Sequence, residues 1–172
     1  MAITYVRKVR AAELKTVVRI INEAKQVLQS RNVDLWQKGY PDQTVLKDDI
    51  ARQIAYFLIC DEQIVGVAAL EDQGEAHYEQ LIEGSWSKDS KEQYAVIHRV
   101  AICQGHQGEG LASTFIQHLL SVAAVADFKD IRIDTHVDNV PMQHVILKNG
   151  FQQCGRLEDS LHTPCFAYQK FI

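Results

Sequence analysis

Val96–Leu120 reads VIHRVAICQGHQGEGLASTFIQHLL, a strand, a glycine-bearing turn and a helix in one unbroken run. The segment from Tyr94 to Ile102 is apolar, rich in β-branched residues and too short for a helix of its own, which predicts a strand. Leu111, Ala112, Phe115, Ile116, Leu119, Leu120 and Ala123 recur at helical spacing and predict one buried stripe. Gly105, Gly108 and Gly110 lie between. A glycine turn from a strand into a helix leaves backbone N–H groups unpaired at the positive end of the helix dipole, which makes an anion site and usually a phosphate site. Glycine lets the phosphate approach where a Cβ would collide with it. The same residues also suit a tight connection that binds nothing, so the neighbouring segments have to decide.

Downstream, Asp130 to His136 (with IRIDTH) predicts another strand, and Asp138–Asn139 predicts the cap of a helix from Val140 to Asn149 with Gly150 at its C′ position. Phe151–Leu157 and Pro164–Phe171 predict two closing strands. Upstream, Ile3–Val9 alternates as a first strand. Leu14, Val17, Val18, Ile21, Ala24, Val27 and Leu28 share one helical face, and Arg10 and Ala11 make a poor N-cap for it. The loop Asp34–Pro41, DLWQKGYP, carries Trp36 and Tyr40 among turn residues, so its rings either plug the core edge or line a pocket. A short helix is predicted over Thr44–Gln53 and a hairpin over Ala55–Cys60 and Gln63–Leu70, turning at Asp61–Glu62. Residues 71–93 are polar and irregular, with a small patch of structure near Tyr78–Ile82. The order β-α-α-β-β-β-α-β-α-β-β belongs to an α/β class, a mixed sheet with helices on both faces.

The chain has 172 residues, long enough for a real core and short enough for a single domain over 1–172. Hydrophobic residues make up 47% and charged residues 23%, as in a soluble globular protein. A net charge of −4 argues against a nucleic-acid groove. Cys60, Cys103, Cys154 and Cys165 show neither CxxC pairing nor metal-ligand spacing with histidine, and read as reduced cytosolic thiols with no metal site. MAITYVRKVR has no long apolar core and no cleavage site, so neither a signal peptide nor a membrane span is expected, and the location expected is cytoplasmic.

Two other nucleotide readings fit less well. Gly105, Gly108 and Gly110 are spaced GxxGxG rather than GxGxxG. Asp134 could imitate a ribose-holding acid, but several strands precede the turn and too little chain follows for the second half of a doubly wound sheet. No Gly-Lys-Ser/Thr follows, which excludes a Walker loop.

A third reading accounts for several positions at once. Gln107-Gly108-Glu109-Gly110-Leu111-Ala112, after the strand end Val100-Ala101-Ile102, resembles the Gln/Arg-x-x-Gly-x-Gly/Ala pyrophosphate loop of the GNAT N-acetyltransferase superfamily. Asn139, Met142, Val145, Gly150 and Phe151 stand at the spacings of that family's Asn-x-x-Ala-x-x-Leu-Tyr-x-x-x-Gly-Phe segment. DLWQKGYP, HRVAI, IRIDTH and AYQK also resemble a bacterial subgroup of unassigned acceptor. The resemblance implies the GNAT acyl-CoA N-acyltransferase fold, a central mixed sheet of about seven strands flanked by about four helices. It also implies acetyl-CoA as cosubstrate. Pantetheine would lie between strands splayed after Ile102 and Thr135, pairing with the backbone of Val100 and Ile102, with Ala101 between them. The pyrophosphate would sit on the N–H groups of Gln107, Gly108, Glu109, Gly110, Leu111 and Ala112, with Ser113 next in the helix, while Asn139 holds the pantetheine arm or caps its helix. Gln107 stands where many relatives have Arg, and Ile146 fills the slot of the Tyr that often protonates the leaving thiolate.

An amine acceptor must lose a proton before it attacks, so a base is expected. His98 is the first candidate, with Glu71 at the end of the neighbouring strand and His136 beyond the splay as others, and Tyr94 as a substitute acid. The acceptor would enter over Trp36, Tyr40 and residues 71–93. The activity expected is N-acetyl transfer to a primary amine of a small molecule or peptide by direct attack. The alternatives are a non-catalytic acyl-CoA sensor of the same fold and, more distantly, a dinucleotide oxidoreductase. Neither nucleic acid nor membrane is expected as a partner, and a homodimer is left open.

Overall fold

The computed structural model describes residues 2–79, 81–87 and 93–172. Among the described residues, eight strands form one sheet: β1 (Thr4–Lys8), β2 (Ala55–Cys60), β3 (Gln63–Glu71), β4 (Glu83–Gly84), β5 (Ala95–Ile102), β6 (Asp130–His136), β7 (Gln152–Glu158) and β8 (Pro164–Phe171). Their spatial order is β1-β2-β3-β5-β6-β8-β7-β4. The β5–β6 pair is parallel, and every other neighbouring pair is antiparallel. Four α-helices cover the sheet: α1 (Leu14–Ser30), α2 (Gln43–Ala51), α3 (Leu111–Val125) and α4 (Val140–Lys148).

The buried residues of α1 and α3 come mainly from the faces expected for them, with Ile20 and Ser113 added. Val17, Ile20 and Ile21 of α1 pack with Leu46 and Ile50 of α2 on Phe57, Val67 and Ala101. Phe115, Ile116 and Leu119 of α3 join Ile146 of α4 against Leu58, Ala68, Ile97 and Ile133 on the opposite face. A third cluster, Tyr78, Val96, Leu157, Cys165 and Ala167, lies under the segment after β3.

The hairpin turns at Asp61 and Glu62, whose φ angles of +45° and +68° give the type I′ geometry that matches strand twist. Three details depart from expectation. Glu13 compensates for the poor start of α1: its carboxylate accepts from the Arg10 N–H at 2.8 Å and pairs with Arg7 at 2.7 Å. The patch expected at Tyr78–Ile82 is a 3-10 turn at Ala76–Tyr78, followed by the two-residue β4, which brings the strand count to eight. Gly84 pairs with Gly155 of β7, where a Cβ on either residue would run into the other strand's backbone. Within 71–93, positions 80 and 88–92 lie outside the described residues.

Candidate active site

β5 and β6 hold register over Ala95↔Ile131, Val96↔Arg132 and Ile97↔Ile133, and then part. On its other edge β5 carries one extra residue, because Ala69 faces His98 while Val67 faces Ala101. Arg99 absorbs the extra length with φ at +53°. Such a bulge bends and twists the strand. It also interrupts the alternation of side chains along β5. A cavity of about 770 Å³ opens where the strands diverge.

One wall follows the chain from the end of β5 into α3. Val100, Ala101, Ile102, Gln107, Gly108, Gly110, Leu111, Ala112, Ser113 and Asn139 all line the cavity. Gly105, Gly108 and Gly110 have φ of +95°, +82° and +77°, and a Cβ built on any of them meets no atom within 4 Å. The turn therefore faces open space at the start of α3, whose first amides have no partner within the helix. Asn139 does not cap α4 with its side chain; its Nδ2 donates to Thr135 Oγ1 at 3.1 Å. Glu109 is not brought to the cavity: it is exposed and pairs with His106 at 3.2 Å.

The other wall is built by side chains. Trp36 and Tyr40 both line the cavity, and Trp36 also packs against the α1–α2 core. Arg99 Nη1 donates to the Tyr40 hydroxyl at 2.6 Å, while Nε and Nη2 donate to the two oxygens of Asp49 at 2.8 and 2.7 Å. The Arg99 and Asp49 side chains are both 7% exposed. Burial pushes the Asp49 carboxyl and the Tyr40 phenol upward, against the pull of Arg99.

His98 lies beside this triad with Nε2 2.7 Å from Glu75 Oε1, and His77 Nε2 is 3.3 Å from the other Glu75 oxygen. His77, His98 and Glu75 line the cavity. Burial alone would raise the Glu75 carboxyl, but His98, His77 and Arg99 outweigh it and hold it below the usual carboxylate range. Asp134 completes the wall and accepts from the Tyr78 hydroxyl.

Three of the candidate catalytic residues lie elsewhere. Glu71 is occupied by Arg52 at 2.5 Å and by the N–H groups of Asp72 and Gln73, since a carboxylate buried at a strand end needs donors to remain charged. Tyr94 points its hydroxyl at the backbone of Glu75, at 3.3 Å from both N and O, and stacks under Arg132; it anchors Glu75 rather than reaching the cavity. His136 is buried, and its Nδ1 accepts from the Asp138 N–H at 3.0 Å. Glu75, Arg99 and Asp49 were missed by sequence reasoning. For Arg99 and Asp49 no local pattern could reveal a pair formed across fifty positions.

A sequence model of the acetyltransferase (GNAT) family matches residues 20–151. The chain belongs to the GNAT acetyltransferase family. The structure resembles a GNAT-family acetyltransferase from Streptococcus agalactiae at 34% identity and a TM-score of 0.89, over 98% of this chain and 95% of that one. A GNAT-family acetyltransferase from Listeria monocytogenes shares the fold at 14% identity and a TM-score of 0.77, over 98% and 95% of the two chains. So does the aminoglycoside acetyltransferase AAC(6')-Ib in complex with coenzyme A and kanamycin, at 14% identity and a TM-score of 0.71, again over 98% and 95%. No curated protein sequence matches significantly. The expected mixed α/β GNAT fold is the one observed, and the family's chemistry is acetyl transfer. Among the described residues, no helix is long and apolar enough to cross a membrane.

Proposed function

We propose that residues 1–172 act as one N-acetyltransferase domain that takes its acetyl group from acetyl-CoA and passes it directly to a primary amine. The observation that carries this reading is the parting of β5 from β6 directly above a glycine turn open to the cavity. A strand edge without a partner offers amide groups to a pantetheine arm as an added strand would, and the amides of Gln107–Ala112 at the start of α3 suit a pyrophosphate. Gln107 brings no charge, so phosphate recognition rests on backbone and helix dipole. Asn139, which lines the same cavity, would hold the pantetheine arm.

Acetyl-CoA supplies an activated thioester. The side chains on the facing wall prepare the amine. Trp36 and Tyr40 shape its entry, and the Glu75–His98 pair takes the proton that the ammonium must lose before its nitrogen can attack. The new C–N bond replaces the C–S bond, CoA departs as its thiolate, and the second proton that the nitrogen sheds passes to solvent, where it can protonate the thiolate. A simple thiol with a pKa near ~8.5 needs little help to leave at mildly alkaline pH, which suits a site where Ile146, fully buried, fills the family's Tyr slot.

Thiol release with acetyl-CoA and a panel of amines tests the proposal. Free CoA should accumulate only when a suitable amine is present. Binding of acetyl-CoA without release by any amine would instead favour a non-catalytic sensor.

A further inference from the structure

Asp134 places a carboxylate on the cavity wall that, among the described residues, no cation answers. It follows Ile133 as His98 follows Ile97, so the two stand across the point where β5 and β6 part, and both line the cavity. Both also meet the same ring: Tyr78 is fully buried, its hydroxyl donates to Asp134 Oδ1, and its ring stands edge-on to His98 with centroids 5.7 Å apart. The Cys165 thiol lies beside the same carboxylate. Phenol and thiol are neutral donors. They fix Asp134 in place without cancelling its charge, and among the described residues no cation pairs with it. A carboxylate can accept more hydrogen bonds than these two supply.

Other groups on this wall already have partners, and Asp159, which also lines the cavity, accepts from the N–H groups of Leu161 and Thr163. Arg99 is committed to Asp49 and Tyr40, and Glu75 is shared by His98 and His77. Arg31 and Lys148 also line the cavity, but both are exposed residues at the ends of α1 and α4. An acceptor bearing its own carboxylate would therefore bring negative charge to a wall that holds Asp134 and Glu75. A monoamine would give up its only positive charge before attack and leave Asp134 unanswered. A molecule with two amines can be deprotonated at one end and keep an ammonium at the other.

Building on the acetyl-CoA reading above, we infer that the acceptor is a small aliphatic diamine or polyamine. One amine is stripped of its proton at Glu75–His98, and a second, still an ammonium, binds the Asp134 carboxylate that Tyr78 holds in place. The slender aliphatic class suits a cavity of about 770 Å³ that must also admit the pantetheine arm.

The test uses the full chain with acetyl-CoA and three probe amines: putrescine, butylamine and lysine. Thiol release should give a kcat/KM for putrescine at least ~10-fold above either of the others, the scale of one charged hydrogen bond. In Asp134→Asn, which keeps an oxygen for the Tyr78 hydroxyl, the putrescine-to-butylamine ratio should fall ~10–100-fold, mainly through KM. Equal use of butylamine or lysine by the unmodified protein would overturn the inference without any variant. So would an equal loss of kcat on both amines in Asp134→Asn, which would make Asp134 part of proton removal. Stabilisation by acetyl-CoA with no turnover of putrescine would remove the acceptor class and leave the donor reading standing. Absence of stabilisation by acetyl-CoA would remove both.

Discussion

The two walls of the cavity are made of different material. The wall from Val100 to Ser113 is continuous chain: a strand end, three glycines in the left-handed region and the start of a helix. The facing wall joins Tyr40 and Asp49 to Arg99, Glu75 to His98, and Tyr78 to Asp134 by side-chain contacts over long sequence separations, with Trp36 beside them in the lining. A site made of backbone tolerates changes of side chain but not of glycine. A site made of paired side chains fails when one partner is removed.

The largest effect expected from that difference is on stability. Arg99→Ala would leave Asp49 charged and buried without a partner, and should cost ~3–5 kcal/mol in urea unfolding, as broken buried pairs do. A loss under ~1 kcal/mol would mean that the facing wall is not held by this network. On the backbone wall, Gly110→Val forces a branched residue to φ near +77°, which should cost ~1–2 kcal/mol of stability. Its larger signature should be in calorimetric binding of acetyl-CoA, weakened at least ~10-fold because the side chain enters the space left open for phosphate. Unchanged affinity in folded Gly110→Val protein would dissolve the distinction between the walls.

Trp36→Ala should act on one substrate only. Acceptor kcat/KM should fall about 10-fold, with acetyl-CoA affinity little changed. An equal effect on both substrates would make the ring part of a common core rather than of the acceptor wall.

The smallest effect lies outside the cavity and serves as a control. The Arg7 guanidinium holds the Glu13 carboxyl down at about 2, against an ordinary value of 4.5. The folded-state value is depressed, so the contribution is fully present above pH 4.5 and is lost as pH falls toward 2. The pair is partly exposed, so Glu13→Gln should cost only ~0.5–1 kcal/mol near neutral pH, with the deficit shrinking to nothing in acid. A pH-independent deficit would assign the loss to capping rather than charge.

The same difference explains what could be read from the sequence. Helical spacing, the Asp61–Glu62 turn and the glycines between Ile102 and Leu111 are local signals, and they pointed to the element order and the backbone wall. The bulge at Arg99 had no such signal, because an extra residue in β5 exists only relative to β3. Nor did Glu75: it belongs to a polar, irregular segment whose path is set by Tyr78, Trp86 and Tyr94 stacking around Arg132. Glu71 was the natural guess for a carboxylate at a strand end, yet Arg52, at the end of α2, claims it. Met142 and Val145 of α4 line the cavity, while Ile146, the residue in the family's Tyr slot, points fully into the core.

The central claim is that the opening between β5 and β6, with its glycine turn, receives acetyl-CoA. Thermal unfolding of the unmodified protein in rising concentrations of acetyl-CoA, and separately of NAD(P), tests it most directly. A ligand that binds only the folded state raises Tm with its concentration. The account predicts a progressive rise with acetyl-CoA and none with NAD(P). No rise with acetyl-CoA, or a rise with NAD(P) alone, would contradict it.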